Sequence, residues 1–127
     1  MKRVLIVEDQ ADIRELIRMT LEMEDLEIHE ATTGQQGLEA AQRLQPQLVL
    51  LDVMMPGGMD GFQVCERIRA ESRLKRTKVV LLTARAQPED RARGMKAGAD
   101  EFLVKPFSPL QLIETIERLL QPSLPTA

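Results

Sequence analysis

Five residues in this chain of 127 carry groups that do chemistry when brought together: Glu8, Asp9, Asp52, Thr83 and Lys105. They supply three carboxylates, a hydroxyl and an ammonium. Each stands at or just after a short apolar run: Glu8 and Asp9 after Val4-Leu5-Ile6-Val7, Asp52 after Leu48-Val49-Leu50-Leu51, Thr83 after Val79-Val80-Leu81-Leu82, and Lys105 after Phe102-Leu103-Val104. If these runs are parallel strands, their carboxyl-terminal ends lie along one rim and the five groups converge. Three carboxylates at one point repel strongly unless a cation joins them. An all-oxygen site on a rim with room for water suits Mg2+, and Lys105 offsets part of the charge. A single acid at a strand end is ordinarily a solvated cap, a reading that does not extend to all five groups at once.

The elements needed to place those groups are legible in the periodicity. The apolar runs have the pattern of strands buried on both faces of a sheet. Leu26-Glu27-Ile28-His29-Glu30 alternates with period two, as an edge strand with a wetter face does, and Phe102-Leu103-Val104 makes a fifth strand. Between the strands the period becomes helical: Ile13, Leu16, Ile17 and Leu21 form one stripe, Phe62, Cys65 and Ile68 another, and Leu112, Ile113, Ile116, Leu119 and Leu120 a last one. Thr33 with Gln36, and Ser108 with Pro109 and Gln111, match the capping box at helix starts. Pro88 followed by Glu89 and Asp90 suits a further start, and Gly98 its end. Alternating strands and helices with right-handed crossovers predict an α/β fold, a doubly wound five-stranded parallel sheet in the flavodoxin-like order 2-1-3-4-5 with helices on both faces. Residues 1–120 are expected to form one domain, and 121–127, with two prolines and no apolar period, a tail or the start of a linker.

Composition narrows the function classes. Seventeen Lys and Arg stand against 20 Asp and Glu, a net charge of −3, with only three aromatics, Phe62, Phe102 and Phe107. Neither a phosphate-backbone attraction nor a stacking platform is present, so no nucleic-acid binding by this chain is expected. No apolar run approaches the roughly 20 residues that span a bilayer, and Glu8-Asp9 interrupts the signal-peptide-like start Met1-Lys2-Arg3. A single cysteine, Cys65, allows no internal disulfide and fits a reducing, cytoplasmic setting. Cys65 falls on an apolar stripe and reads as a core residue. His29 reads as a solvated edge-strand histidine, Met19, Met23 and Met95 as gap fillers, and the basic cluster Arg67, Arg69, Arg73, Lys75, Arg76 and Lys78 as a solvated helix end and loop.

The motifs Val4-Leu5-Ile6-Val7-Glu8-Asp9, Leu50-Leu51-Asp52-Val53-Met54-Met55-Pro56, Leu81-Leu82-Thr83-Ala84 and Val104-Lys105-Pro106-Phe107 occur in order. Together they resemble the receiver domain of bacterial two-component response regulators, over residues 2 to about 120. The resemblance implies that Asp52 accepts a phosphoryl group from a phosphohistidine on a sensor histidine kinase or phosphotransfer protein. It implies that Glu8, Asp9, Asp52 and the backbone carbonyl of Met54 hold Mg2+. Thr83 and Phe102 occupy the family's switch positions, which change the surface formed by the fourth helix, fifth strand and fifth helix. The partner is then a downstream protein or a C-terminal output domain, with a phosphorylation-dependent dimer as a further form. Arg91, Arg93 and Lys96 on the fourth helix and Glu114 and Glu117 on the fifth are candidate charges on that surface. Lys105-Pro106 is a place for a cis peptide. On this reading the chain is a signalling phosphoacceptor rather than an enzyme.

Chemistry agrees with the resemblance. A carboxylate attacks phosphorus once its charge and that of the incoming group are neutralised, Lys105 can bind a phosphoryl oxygen as a point charge, and the Thr83 hydroxyl can donate to another. One departure from the family pattern is an extra glycine in Met55-Pro56-Gly57-Gly58-Met59-Asp60-Gly61. The alternative is a phosphohydrolase of the haloacid dehalogenase type, with an aspartate nucleophile and Mg2+. It needs a second aspartate two residues after the nucleophile, where this chain has Met54. A flavin-binding module needs a small-residue phosphate loop after the first strand, where Glu8-Asp9-Gln10-Ala11-Asp12 would repel phosphate.

Overall fold

The computed structural model describes residues 1–55, 57–84 and 87–121; Pro56, Arg85, Ala86 and residues 122–127 lie outside the described residues. Five strands and five helices alternate: β1 (Lys2–Val7), α1 (Ala11–Leu21), β2 (Leu26–Ala31), α2 (Gly34–Leu44), β3 (Leu48–Asp52), α3 (Gly61–Ala70), β4 (Lys78–Thr83), α4 (Pro88–Ala97), β5 (Glu101–Val104) and α5 (Pro109–Leu120). A short 3-10 turn, Ser72–Leu74, precedes β4. The strands pair in parallel in the order β2-β1-β3-β4-β5, as the sequence predicts.

Side chains that alternate along the buried strands sort into two cores. Leu5, Val7, Val49, Leu51, Val79 and Leu81 face α2, α3 and α4, meeting Leu38, Val64 and Ile68. Val4, Ile6, Leu48, Leu50, Val80 and Leu82 face α1 and α5, meeting Ile17, Leu21, Leu112 and Ile116. Strands with both faces covered have no polar side to tolerate, which is why their sequences read as unbroken apolar runs. β2 is an edge strand, and its His29 is half-buried, with Nε2 2.8 Å from Glu27 Oε2.

Local signals set most helix boundaries. Ser108 and Gln111 form a reciprocal capping box on α5. Thr33 accepts from the Gln36 amide, but the Gln36 side chain turns instead to the amide and hydroxyl of Thr32, so the α2 box is half made. A second complete box, Asp60 with Gln63, starts α3. Gly98 ends α4 with a φ of 99°. One stripe residue departs from expectation: Ile17 and Leu21 are fully buried, whereas Leu16 is 47% exposed. Ile13, Ile17 and Leu21 are spaced four apart and centre the stripe, which leaves Leu16 on its flank. Cys65 is buried and its thiol donates to the Ala97 carbonyl; burial pushes the thiol up to about 11, so it stays protonated and inert.

Candidate phosphoacceptor site

The carboxyl-terminal rim assembles the five groups named from the sequence. Glu8 follows β1 and is fully buried, Asp52 ends β3 and Thr83 ends β4, both buried, and Lys105 follows β5. Asp9 is half-buried beside them. Ladder bonds continue past the strands: the Glu8 amide donates to Ala31 O, Val53 to Leu82 O, and Lys105 to Thr83 O at 2.7 Å. These bonds hold the loop starts in register, so the side chains are aimed by the sheet itself. The Lys105-Pro106 bond is cis.

Lys105 Nζ lies 2.8 Å from Glu8 Oε1 and 3.1 Å from Asp52 Oδ1. Ligating oxygens of Glu8, Asp9 and Asp52 all lie within 4.8 Å of one another. Burial, followed by the hydrogen bond and charge of Glu8, pushes the Asp52 carboxyl up to about 7, against the opposing pull of Lys105. For Lys105, burial lowers its affinity for the proton, but the hydrogen bond it donates to Glu8 and the charge and accepting carboxylate of Asp52 outweigh it, and its pKa rises. One ammonium therefore stands among three acids, an arrangement short of positive charge. A cleft of about 210 Å³ opens at this point, lined by Asp9, Gln10, Asp52, Met54, Ala84 and Lys105.

The donor set fits a hard divalent cation. All available donors are oxygens, and Asp9 Oδ1 is buried with no hydrogen-bond partner. An orphaned carboxylate oxygen costs about 1–3 kcal/mol unless something takes its lone pairs. The residues thus suit Mg2+ in kind and in reach.

The profile of the response regulator receiver domain family matches residues 4–117. The chain belongs to that family. The receiver domain is 42% identical over 118 residues to the transcriptional regulatory protein SrrA of Staphylococcus aureus, an alignment covering 93% of this chain and 47% of SrrA. It therefore spans about half the length of the curated relatives it matches. Among solved structures, the chemotaxis protein CheY4 of Vibrio cholerae superposes with a TM-score of 0.89 at 36% identity, covering 94% of this chain and 99% of that one. The receiver domain of a Pseudomonas aeruginosa PAO1 sensor histidine kinase, solved with a magnesium ion coordinated in its active site cleft, superposes at 0.85 with 28% identity over 93% and 96% of the two chains. The receiver domain is thus a signalling module of two-component systems, and the dehalogenase alternative finds no support. Among the described residues no helix is long and apolar enough to cross a membrane.

Phe102 is 8% exposed, with its ring turned inward onto α4. Gly94 makes room for it: a Cβ at that position would come within 2.0 Å of Phe102 Cζ. The Arg91 guanidinium lies 5.8 Å from the centre of the same ring. Arg93 lies 4.4 Å over the Phe62 ring and 3.6 Å from Asp60. Two of the three cations expected to face a partner from α4 are therefore engaged with rings of the domain itself. Gly94 and the inward roles of Arg91 and Arg93 escape sequence reasoning, because the ring that each meets lies on another element.

Proposed function

We propose that Asp52 is the phosphoacceptor, and that Glu8, Asp9, Asp52 and the Met54 carbonyl hold Mg2+ beside it. The observation that carries this is the buried Asp52 carboxylate at 3.1 Å from Lys105 Nζ, with two further acids in ligating reach. A carboxylate oxygen of Asp52 forms the new P–O bond as the P–N bond of a phosphohistidine breaks, and the imidazole leaves with the electron pair. Lys105 is placed to move from its acids to a phosphoryl oxygen, and the Thr83 hydroxyl donates to another. The metal, when bound, neutralises charge on the acids and the incoming group.

The donor is read as a cytoplasmic sensor kinase or phosphotransfer protein. An apolar cleft of about 370 Å³ lies against the site, lined by Ile13, Leu16, Ala84, Lys105, Pro106 and Phe107, and the exposed Leu16 gives a helical donor something to seat on. The phosphoryl signal is read from the α4, β5 and α5 surface by a downstream protein, a second copy or an output domain. Dependence on Thr83 and Phe102 makes this a population shift.

Incubation with a small phosphodonor and Mg2+ adds one phosphoryl mass to the wild type and none to Asp52→Asn; equal labelling of both refutes the acceptor. Thr83→Ala is expected to accept the group but leave the amide shifts of α4 and α5 unmoved by a phosphoryl mimic. If those helices respond as in the wild type, the signal takes another route.

A further inference from the structure

Glu8 and Asp9 sit in the turn between β1 and α1, so their carboxylates are only as well placed as that turn is fixed. The helix cap does not fix it: Gln10 stands at the N-cap of α1 and makes no side-chain capping bond. Arg14 supplies a different restraint. Its Nη1 donates to the Glu8 carbonyl at 2.9 Å and reaches the Asp9 carbonyl at 3.5 Å. On its other edge, Nε lies 3.3 Å from Glu30 Oε1, just before the end of β2. Arg14 is 21% exposed, and its planar fork is engaged on two sides, by the carboxylate that orients it and by the backbone it grips.

The charge of this arginine matters less than its shape. Glu30 stands against it at 3.3 Å, although Arg18 shares that carboxylate at 2.8 Å, and the guanidinium touches the backbone oxygens of Glu8 and Asp9 rather than their carboxylates. A charge acting alone would repel a divalent cation, whereas a clamp on the turn favours one.

We propose that Arg14, oriented by Glu30, is a positioning residue that holds the Glu8-Asp9 turn in its metal-ready shape. This rests on the assignment of Glu8 and Asp9 to the metal.

The test is titration of metal-free protein with MgCl2, followed by calorimetry and amide shifts, together with hydrogen exchange in the absence of metal. The Gln10 amide, which donates to Glu8 Oε2 at 3.3 Å, is the local reporter. Wild type against Asp9→Asn comes first: if Asp9→Asn binds Mg2+ as the wild type does, the metal assignment has failed, and the exchange data alone then judge the clamp. Arg14→Gln is expected to bind Mg2+ about tenfold more weakly and to exchange the Gln10 amide faster without metal. Arg14→Lys, which restores charge but not the fork, is expected to rescue neither. Unchanged affinity and exchange in Arg14→Gln, tighter Mg2+ binding, or full rescue by lysine overturns the proposal. If Arg14→Gln does not fold, Glu30→Gln decides: weaker binding and faster exchange support the clamp, and wild-type values overturn it. Arg118→Gln, at the other end of the molecule and paired with Glu101, is the control and changes neither.

Discussion

At the amino-terminal end of the sheet, Arg69 meets Asp100 at 2.5 Å, donates from Nε to the Gly98 carbonyl at 2.7 Å, and leaves Asp100 Oδ2 to accept the Val79 amide as well. At the carboxyl-terminal end, Glu8, Asp9 and Asp52 crowd around one ammonium, and Asp9 keeps a buried oxygen without a partner. The two regions set cations against carboxylates at opposite ends of one sheet. One is balanced in charge and satisfied in hydrogen bonds, and it ties α3 to the loop between α4 and β5. The other is left with excess negative charge and a raised Asp52 pKa. Balanced charge serves the fold, and unbalanced negative charge favours a cation.

Breaking the balanced end gives the largest effect on stability. Arg69→Ala leaves Asp100 without its cation, and the loss is expected to be about 2–3 kcal/mol for this half-buried pair. Urea denaturation measures it, while phosphoryl labelling at Asp52 persists in the folded protein. A loss below about 0.5 kcal/mol would place the pair with ordinary surface bridges and dissolve the contrast.

The unbalanced end is expected to respond to pH in the opposite sense to a paired carboxylate. The Asp52 carboxyl is raised from 3.8 to about 7, so the folded state holds a proton that the unfolded state has released. Its contribution is present below about pH 4 and is lost as the pH rises toward 7. In metal-free protein Asp52→Asn should therefore be more stable than the wild type at pH 7, with the advantage shrinking as the pH falls toward 4. The difference between the two denaturation curves reports Asp52 together with its coupling to Glu8 and Lys105. A difference that stays flat across that window shows that Lys105 alone compensates Asp52.

Most of this contrast was legible in the sequence at one end and hidden at the other. The rim acids follow unbroken apolar strands, and topology alone brings strand ends together, so Glu8, Asp52, Thr83 and Lys105 are found by reading where each run stops. Arg69 and Asp100 lie 31 residues apart on a helix and a loop, and in the sequence Arg69 looks like one more member of a solvated basic cluster. Arg14 is equally unmarked among 17 Lys and Arg, since what distinguishes it is the direction of its fork. The Asp60 and Gln63 box is a pattern in the sequence too, next to the loop with the added glycine, where the turn residues mask it as a helix start.

That loop gives the smallest expected effect and the sharpest test of how far the unbalanced region extends. Gly57 and Gly58 have φ of 95° and 89°, and a Cβ on either would meet nothing within 4 Å. A side chain at Gly58 therefore encounters no clash, only the left-handed backbone, which costs about 1 kcal/mol. The cleft over Asp52 is lined by Met54 and not by either glycine, so the loop lies beside the chemistry without forming its wall. Gly58→Ala is accordingly expected to lose about 1 kcal/mol of stability while the labelling rate at Asp52 stays that of the wild type. If the rate changes and stability does not, the loop governs access to Asp52. The functional region would then extend from the rim to the start of α3, where Asp60 caps the helix and Arg93 reaches it from α4.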